Sequence, residues 1–473
     1  MTHRRAFPAL LTLLAAGCAV GPNYSRPPAE TPPAYKELGA WALAQPSDNA
    51  PKGKWWEVFG DPVLNGLEEQ VSVSNQSLKS SEAVYRQALA AVRSARAQLF
   101  PIVSANGSAT RSGGGSGSSS TASGVDLGVG GSQTRRYNVS LNASWEPDLW
   151  GRVRRLIEAA RDAAEASASD VENARLSLQA ELATDYLQLR GTDAQITLYE
   201  EAIKAYQTNY QLTLNRYNAG VAGKSDVVQA ETQLKTAQAQ AIDLRPTRAQ
   251  YEHAIAVLVG KPPAEITLEP MHTEERVPEV PPGVPSTLLE RRPDVAAAER
   301  RAAAANARIG VAQAAYFPTL SLTGVLGFES GSLAHLISAP NRYWTLGASA
   351  AETLLDFGAR AADVETARAA YDQSVADYRQ AVLTGFQEVE DNLANIHWLA
   401  DEAVVQRDAL AAARESVRLT LNQYKAGTAS YLDVTLVQAT QFAAERTTVD
   451  LLQRRLVANV SLIRALGGSW SAQ

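Results

Sequence analysis

The chain has 473 residues, enough for two or more ordinary domains, and its 45% apolar and 20% charged content is that of folded protein. The net charge of −6 is small for this length and gives no basis for nucleic-acid binding, which needs a basic patch or stripe. No run of 18 or more consecutive apolar residues occurs, so no transmembrane helix is expected, and any membrane crossing must be made by a closed β-barrel.

At the N-terminus, Thr2-His3-Arg4-Arg5 precede an apolar run from Ala6 to Ala16 and then Gly17-Cys18. A basic start, a short apolar stretch and a small-residue cleavage site define a secretory signal, assigned to residues 1–17. Cys18 is the only cysteine, so no internal disulfide can form. Leu14-Ala15-Ala16-Gly17-Cys18 resembles a bacterial lipobox, which implies that Cys18 carries diacylglycerol and an N-acyl chain as residue one of a lipid-anchored segment, 18–60. Ala19 follows, in place of the aspartate of an inner-membrane retention signal, which favours the outer membrane.

The rest of the chain contains itself twice, as residues 61–260 and 291–473. Gln98-Leu99-Phe100-Pro101 returns as Ala315-Tyr316-Phe317-Pro318, 217 residues on. Trp150-Gly151 returns as Phe357-Gly358, Tyr217-Asn218-Ala219-Gly220 as Tyr424-Lys425-Ala426-Gly427, and Asp226-Val227 as Asp433-Val434, all 207 residues on. The first copy therefore holds ten extra residues between its Phe-Pro and its Gly, where the Gly/Ser tract Ser112–Ser118 marks a long hairpin loop. A proline cluster from Pro262 to Pro293 joins the copies and reads as an extended connector, 261–290.

No proline occurs from Asp148 to Arg245 or from Asn341 onward, which permits very long helices. From Leu182 to Tyr217 apolar residues recur in 3- and 4-residue steps with one gap at Asp193, a mean period of about 3.5, and the second copy follows suit from Val389 to Tyr424. Helices from about Gly151 to Tyr217 and from Gly358 to Tyr424 would each run roughly 100 Å at 1.5 Å per residue. Between each Phe-Pro and Gly the period changes to two. Tyr137, Val139, Leu141, Ala143 and Trp145 alternate with polar residues, as do Leu320 and Leu322, and then Trp344, Leu346, Ala348 and Ala350. Four such strands cannot close a barrel; twelve from three copies can, so a homotrimer with a shared barrel is expected.

The motifs, taken in order, resemble the outer-membrane efflux proteins, TolC-like channels, and within them the NodT-type lipoprotein branch. Cys18-Ala19-Val20-Gly21-Pro22-Asn23-Tyr24 and Trp55-Trp56-Glu57-Val58-Phe59-Gly60-Asp61-Pro62 match that branch's opening blocks. Arg291-Arg292-Pro293-Asp294-Val295, Ala307-Arg308-Ile309-Gly310 and Phe317-Pro318 match the start of its second repeat. The resemblance covers essentially the whole chain. It implies an α+β, mainly α fold: a trimeric barrel continued by a coiled-coil periplasmic tunnel with a small equatorial domain. It implies an outer-membrane conduit that receives small molecules such as drugs from an inner-membrane pump through a periplasmic adaptor, surrounded by outer-membrane lipid and with no bound cofactor. It places the closing tips at Tyr217–Asp226 and Tyr424–Asp433. Asp226, Tyr424 and Asp433 match aperture positions, while Gly220 and Gly427 suit helix ends needing positive φ. Ala429 and Leu436 depart from the pattern, standing where related channels carry a basic residue and a second aspartate.

Signals of catalysis are weak. Gly223-Lys224-Ser225 lacks the first glycine of a phosphate loop, because position 218 is Asn218, and it follows a helix pattern. The histidines His3, His253, His272, His335 and His397 show no metal-ligand spacing, and no nucleophile elbow occurs. The chain is therefore read as no enzyme. The competing readings are a coiled-coil adhesive or structural surface lipoprotein, which would not need paired strand hairpins, and a lipid-anchored periplasmic enzyme.

Overall fold

A computed structural model describes residues 19–38, 53–113, 133–271, 277–278 and 291–468. Cys18, the signal segment and most of the proline-rich connector lie outside the described residues. The elements repeat as the motifs do. The first copy runs α1 (Pro62–Ser74), α2 (Gln76–Ala97), β1 (Ile102–Gly113), β2 (Gln133–Trp145), α3 (Arg152–Asn218) and α4 (Lys224–Leu258). The second runs α5 (Pro293–Ala314), β3 (Thr319–Ser330), β4 (Arg342–Ala351), α6 (Ala359–Ala426) and α7 (Tyr431–Ala465).

Each boundary has a local cause. Asp61 caps α1, its carboxylate accepting from the Val63 and Leu64 amides at 2.8 and 3.2 Å, with Pro62 at the first helical position. Asn75 then caps the start of α2 through the Leu78 amide at 2.9 Å and donates to the Leu258 carbonyl at 2.7 Å. Asp148 caps α3 by accepting from the Val153 and Arg154 amides, and Asp356 caps α6 by accepting from the Arg360 amide. These carboxylates are thus engaged in helix initiation. The 67-residue α3 and 68-residue α6 fill the proline-free runs, and the paired α4 and α7 have 35 residues each. The helix α4 continues through Pro246, whose missing N–H leaves one carbonyl of the preceding turn without its usual donor.

The four strands form one antiparallel sheet in the order β1-β2-β3-β4. Its registers carry the repeat at single-residue resolution. Ile102 faces Ser144 and Gly107 faces Val139; adding 217 to the first strand and 207 to the second gives Thr319 facing Ala351 and Gly324 facing Leu346, the pairs observed. The ten extra residues therefore fall between Gly113 and Gln133, beyond the described strands.

Contacts divide the chain into two units. One comprises the described parts of Met1–Arg26, Arg86–Glu165 and Arg300–Val375 and contains the sheet; the other comprises Pro27–Tyr85, Ala166–Glu299 and Ala376–Gln473. In the sheet unit an extended strap at Val20–Asn23 is held by the buried Arg155, which donates to the Val20 and Gly21 carbonyls and to Asn23 Oδ1, at 3.2, 3.1 and 2.8 Å. Gly21 lies so close to Gly310 that a Cβ on it would overlap the Gly310 backbone. In the helical unit the largest core joins Trp55, Trp56, Leu64 and Val71 to Leu182, Tyr186 and Leu189 of α3 and to Leu456 and Val460 of α7. A second core gathers Tyr35, Val295, Tyr378, Val382 and Leu393. The gap in the heptad at Asp193 has a cause: its buried carboxylate accepts from Arg190 at 3.1 Å and Arg248 at 2.6 Å, while those arginines also donate to the Glu269 and Leu268 carbonyls. Asp193 thus ties the start of the connector to α3 and α4 instead of packing on the seam. Arg292 does the equivalent for the second copy, reaching Asp294, Glu388 and the Ala465 carbonyl.

Candidate functional site: an apolar sheet face and two helical tips

Two places in the chain are arranged in ways that packing alone does not explain. The first is the sheet. One face carries Val103, Val139, Leu141, Trp145, Leu326, Trp344 and Leu346, all exposed although apolar. The opposite face carries Ser104, Asn106, Ser108, Asn138, Asn142, Ser321, Thr323, Thr345 and Ser349, with Asn138 donating to the Tyr343 hydroxyl at 2.8 Å and Arg136 paired with Glu329 at 3.2 Å. A two-sided sheet whose continuous apolar face is left exposed among the described residues belongs against lipid rather than water. Among the described residues both outer strands, β1 and β4, have an unpaired edge. Among the described residues no helix is long and apolar enough to cross a membrane.

The second place is the pair of helix–turn–helix tips. Both long helices end in a Schellman motif. Val221 and Gly220 donate to the Arg216 and Tyr217 carbonyls, and Thr428 and Gly427 donate to those of Gln423 and Tyr424. Gly220 and Gly427 hold φ of 77° and 80°, as expected of glycines at those turns. The returning helices start differently. Ser430 and Asp433 form a complete capping box, with the Ser430 amide donating to Asp433 Oδ2 at 2.9 Å and the Asp433 amide donating to Ser430 Oγ at 3.2 Å. The Ser430 hydroxyl, which also donates to Asp433 Oδ2 at 2.6 Å, and then the Ser430 amide hold the Asp433 carboxyl below its ordinary range. The equivalent of Ser430 in the first copy is Gly223, which has no side chain to complete a capping box, and the Asp226 carboxylate accepts a weak 3.4 Å contact from Ser225 Oγ.

Tyr217 and Tyr424 are equivalent in sequence but not in environment. Tyr217 is 41% exposed, whereas Tyr424 is 4% exposed. Tyr424 packs with Ala230, Tyr431 and Val434, edge-on to Tyr431 at 5.7 Å, flanked by Tyr210 and Leu421. Above its ring lies the Arg216 guanidinium, 4.6 Å from the centroid, which also donates to the Tyr424 carbonyl at 3.4 Å. The Tyr424 hydroxyl is buried with no hydrogen-bond partner. The tip residues thus separate into two groups. Tyr424 belongs to a packed cluster with residues of both helix pairs, while Tyr217, Gly220, Asp226, Gly427 and Asp433 lie outside it. Sequence reading did not anticipate Arg216, which no spacing rule marks, nor Ser430, although Ser430-x-x-Asp433 is a capping signature. Among the described residues no three His, Cys, Asp or Glu side chains are grouped to hold a metal.

A tandemly repeated chain with a lipid-suited hairpin sheet, each hairpin leading into a helix of nearly seventy residues, defines an outer-membrane channel protomer of the efflux type. The chain belongs to the outer membrane efflux protein family, whose model matches residues 67–261 and 284–468. Among curated proteins it is 32% identical to the toluene efflux pump outer membrane protein TtgC of Pseudomonas putida, an alignment covering 98% of this chain and 95% of that one. It is 28% identical to the cation efflux system protein CusC of Escherichia coli K12, covering 99% of this chain and all of the other. Among solved structures it is similar to the outer-membrane channel OprN, with a TM-score of 0.87 and 31% identity over 95% of this chain and 99% of that one.

Proposed function

We propose that three copies of this chain form a passive conduit through the outer membrane, the exit duct of a tripartite efflux system fed by a periplasmic adaptor and an inner-membrane pump. The observation that carries this reading is the four-stranded sheet with one exposed apolar face and two open edges. Lipid tolerates no unpaired strand edge, so the sheet needs further strands, and three copies supply twelve. The tips at Tyr217–Asp226 and Tyr424–Asp433 form the closable end, with Arg216 stacked on Tyr424 as part of the closure. Ala429 and Leu436 cannot form ion pairs, and the tight apolar and aromatic cluster around Tyr424 supports closure by packing. Cys18 carries the acyl chains that tether each copy.

Toluene and cations are the cargoes in the names of two relatives, and both alignments run nearly the full length of the chain. One channel architecture therefore serves unlike cargoes, which supports a conduit whose substrate, a small molecule such as a drug, is chosen by the pump. No bound cofactor and no catalytic step are part of this function. The test is accumulation of a fluorescent efflux substrate in cells lacking the chain, with its cognate adaptor and pump present. Restoring the chain should lower the accumulated dye, and the Cys18→Ser variant should restore export less well. Equal accumulation with and without the chain would contradict the duct.

A further inference from the structure

The internal repeat dictates how the open edges of the sheet are filled. Within one chain the two hairpins meet at β2 and β3, where Leu141 faces Leu326, Asn142 faces Val325 and Ala143 faces Gly324. The offsets that carry β2 onto β4 and β3 onto β1 are 207 and 217, and they reproduce every β3–β4 pair from the β1–β2 register. Applied to the β2–β3 junction, they convert Leu141–Leu326 into Ala348–Ala109 and Asn142–Val325 into Ser349–Ser108. Those residues lie on β4 and β1, the two strands with a free edge.

An independent observation supports this pairing. Ala348 lies on the apolar face with Leu346 and Trp344, and Ala109 shares a face with Val103 and Ala105, so the junction keeps apolar residues beside apolar ones. A slip of one residue would bring the apolar face of one strand against the polar face of the other. The aromatic residues below the strands point the same way. Trp150 stacks on Phe317 at 4.8 Å and its indole N–H donates to the Pro318 carbonyl at 2.7 Å, a contact from the first copy's Gly corner to the second copy's Phe-Pro. The reciprocal contact, from Phe357 to Phe100, is not made within the chain: Phe357 is 93% exposed and Phe100 67% exposed. Phe357 is also held at φ 54°, the only described non-glycine residue at positive φ, a strained conformation that persists where its surroundings enforce it.

We propose that β4 of one copy pairs antiparallel with β1 of a second copy in the register Ala348 opposite Ala109 and Ser349 opposite Ser108, with Phe357 of the first copy stacked on Phe100 of the second. This rests on the trimeric reading above and gives it a residue-level seam. Each copy then offers the next the same surface that its own first half offers its second.

The test is disulfide trapping in the full-length protein in outer membranes, with Cys18 kept in place and single-cysteine variants as controls. The in-register pairs are Ala348→Cys with Ala109→Cys and Ser349→Cys with Ser108→Cys. Neighbouring antiparallel pairs alternate between hydrogen-bonded and non-hydrogen-bonded geometry, so one of the two has the closer spacing. Mild oxidation should convert at least one of them to covalent dimers and trimers that reductant dissolves. The shifted pairs Ala348→Cys with Arg111→Cys and Ser349→Cys with Thr110→Cys should give about tenfold less, because diagonal neighbours are about 7–8 Å apart, beyond easy disulfide reach. Adding Phe357→Ala should lower the in-register yield about threefold, in line with loss of one aromatic pair. A trimeric particle that cross-links best at the shifted pairs, or at none, overturns the register and leaves the trimer standing. An unchanged yield with Phe357→Ala overturns the stacking. A particle that remains monomeric overturns the trimer and the seam with it.

Discussion

Glu68 lies fully buried on α1 beside Leu64, Leu67 and Val71, and neither carboxylate oxygen has a hydrogen-bond partner. Burial pushes its carboxyl up to about 9, so the folded protein holds the proton at neutral pH. Its unfolded counterpart releases that proton near pH 4.5. Between those values the folded chain binds more protons than the unfolded one, so stability is greatest at low pH and falls as pH rises, by at most about 1.4 kcal/mol per pH unit from this group. Replacing Glu68 with glutamine should flatten the decline in thermal midpoint between pH 5 and pH 8. An unchanged slope would show that Glu68 is solvated or paired in the native assembly. Sequence reading could not identify this residue, because a glutamate on an amphipathic helix ordinarily marks the wet side. Asp193 was legible only as a gap in the heptad. Arg190 stands three residues before it on α3, a pairing that local spacing allows, but Arg248 comes from α4, and pairing across helices is not written in local spacing.

At the scale of the elements, the tips show what repetition reveals and what it conceals. The repeated Tyr-x-Ala-Gly located both turns, and glycine at positive φ followed from the chemistry of helix ends. The offset of 207 also relates Gly260 to Gly467, which end α4 and α7 in the same motif. Yet the offset treats Tyr217 and Tyr424 as equivalent, and only one is packed. The difference arises because Arg216 covers the ring of Tyr424, whereas its own equivalent in the second copy is Gln423, which carries no charge to stack. A consequence follows for gating. Since the Tyr424 hydroxyl has no partner, Tyr424→Phe should leave single-channel conductance in planar bilayers close to the parent value, whereas Tyr424→Ala removes the ring that Arg216 covers and should raise it. An equal rise with both variants would mean that the hydroxyl, not the packed ring, closes the tip, and no rise with either would remove Tyr424 from the closure.

At the scale of the whole molecule, the period-two alternation of the strands and the 3.5 period of the helices were both visible in the chain, and with them the duplicated plan. The docking of the strap was not, because Val20, Gly21 and Pro22 are held through their backbone carbonyls, which leave no pattern in side chains. The apolar sheet face leads to a further prediction. Leu346→Arg places a charge on the lipid side and should cost about 2–4 kcal/mol near the bilayer centre, whereas Ser349→Arg on the polar face should be tolerated. The measurement is the amount of heat-modifiable, assembled protein in the outer-membrane fraction, and equal loss for both variants would remove the distinction between the faces.

The claim that three chains share one barrel is tested most directly by electron microscopy of the detergent-purified protein. The account predicts a threefold-symmetric particle whose membrane portion is a closed barrel of twelve strands, four from each chain. A monomeric particle, a filament, or a barrel closed by any other number of chains would contradict it.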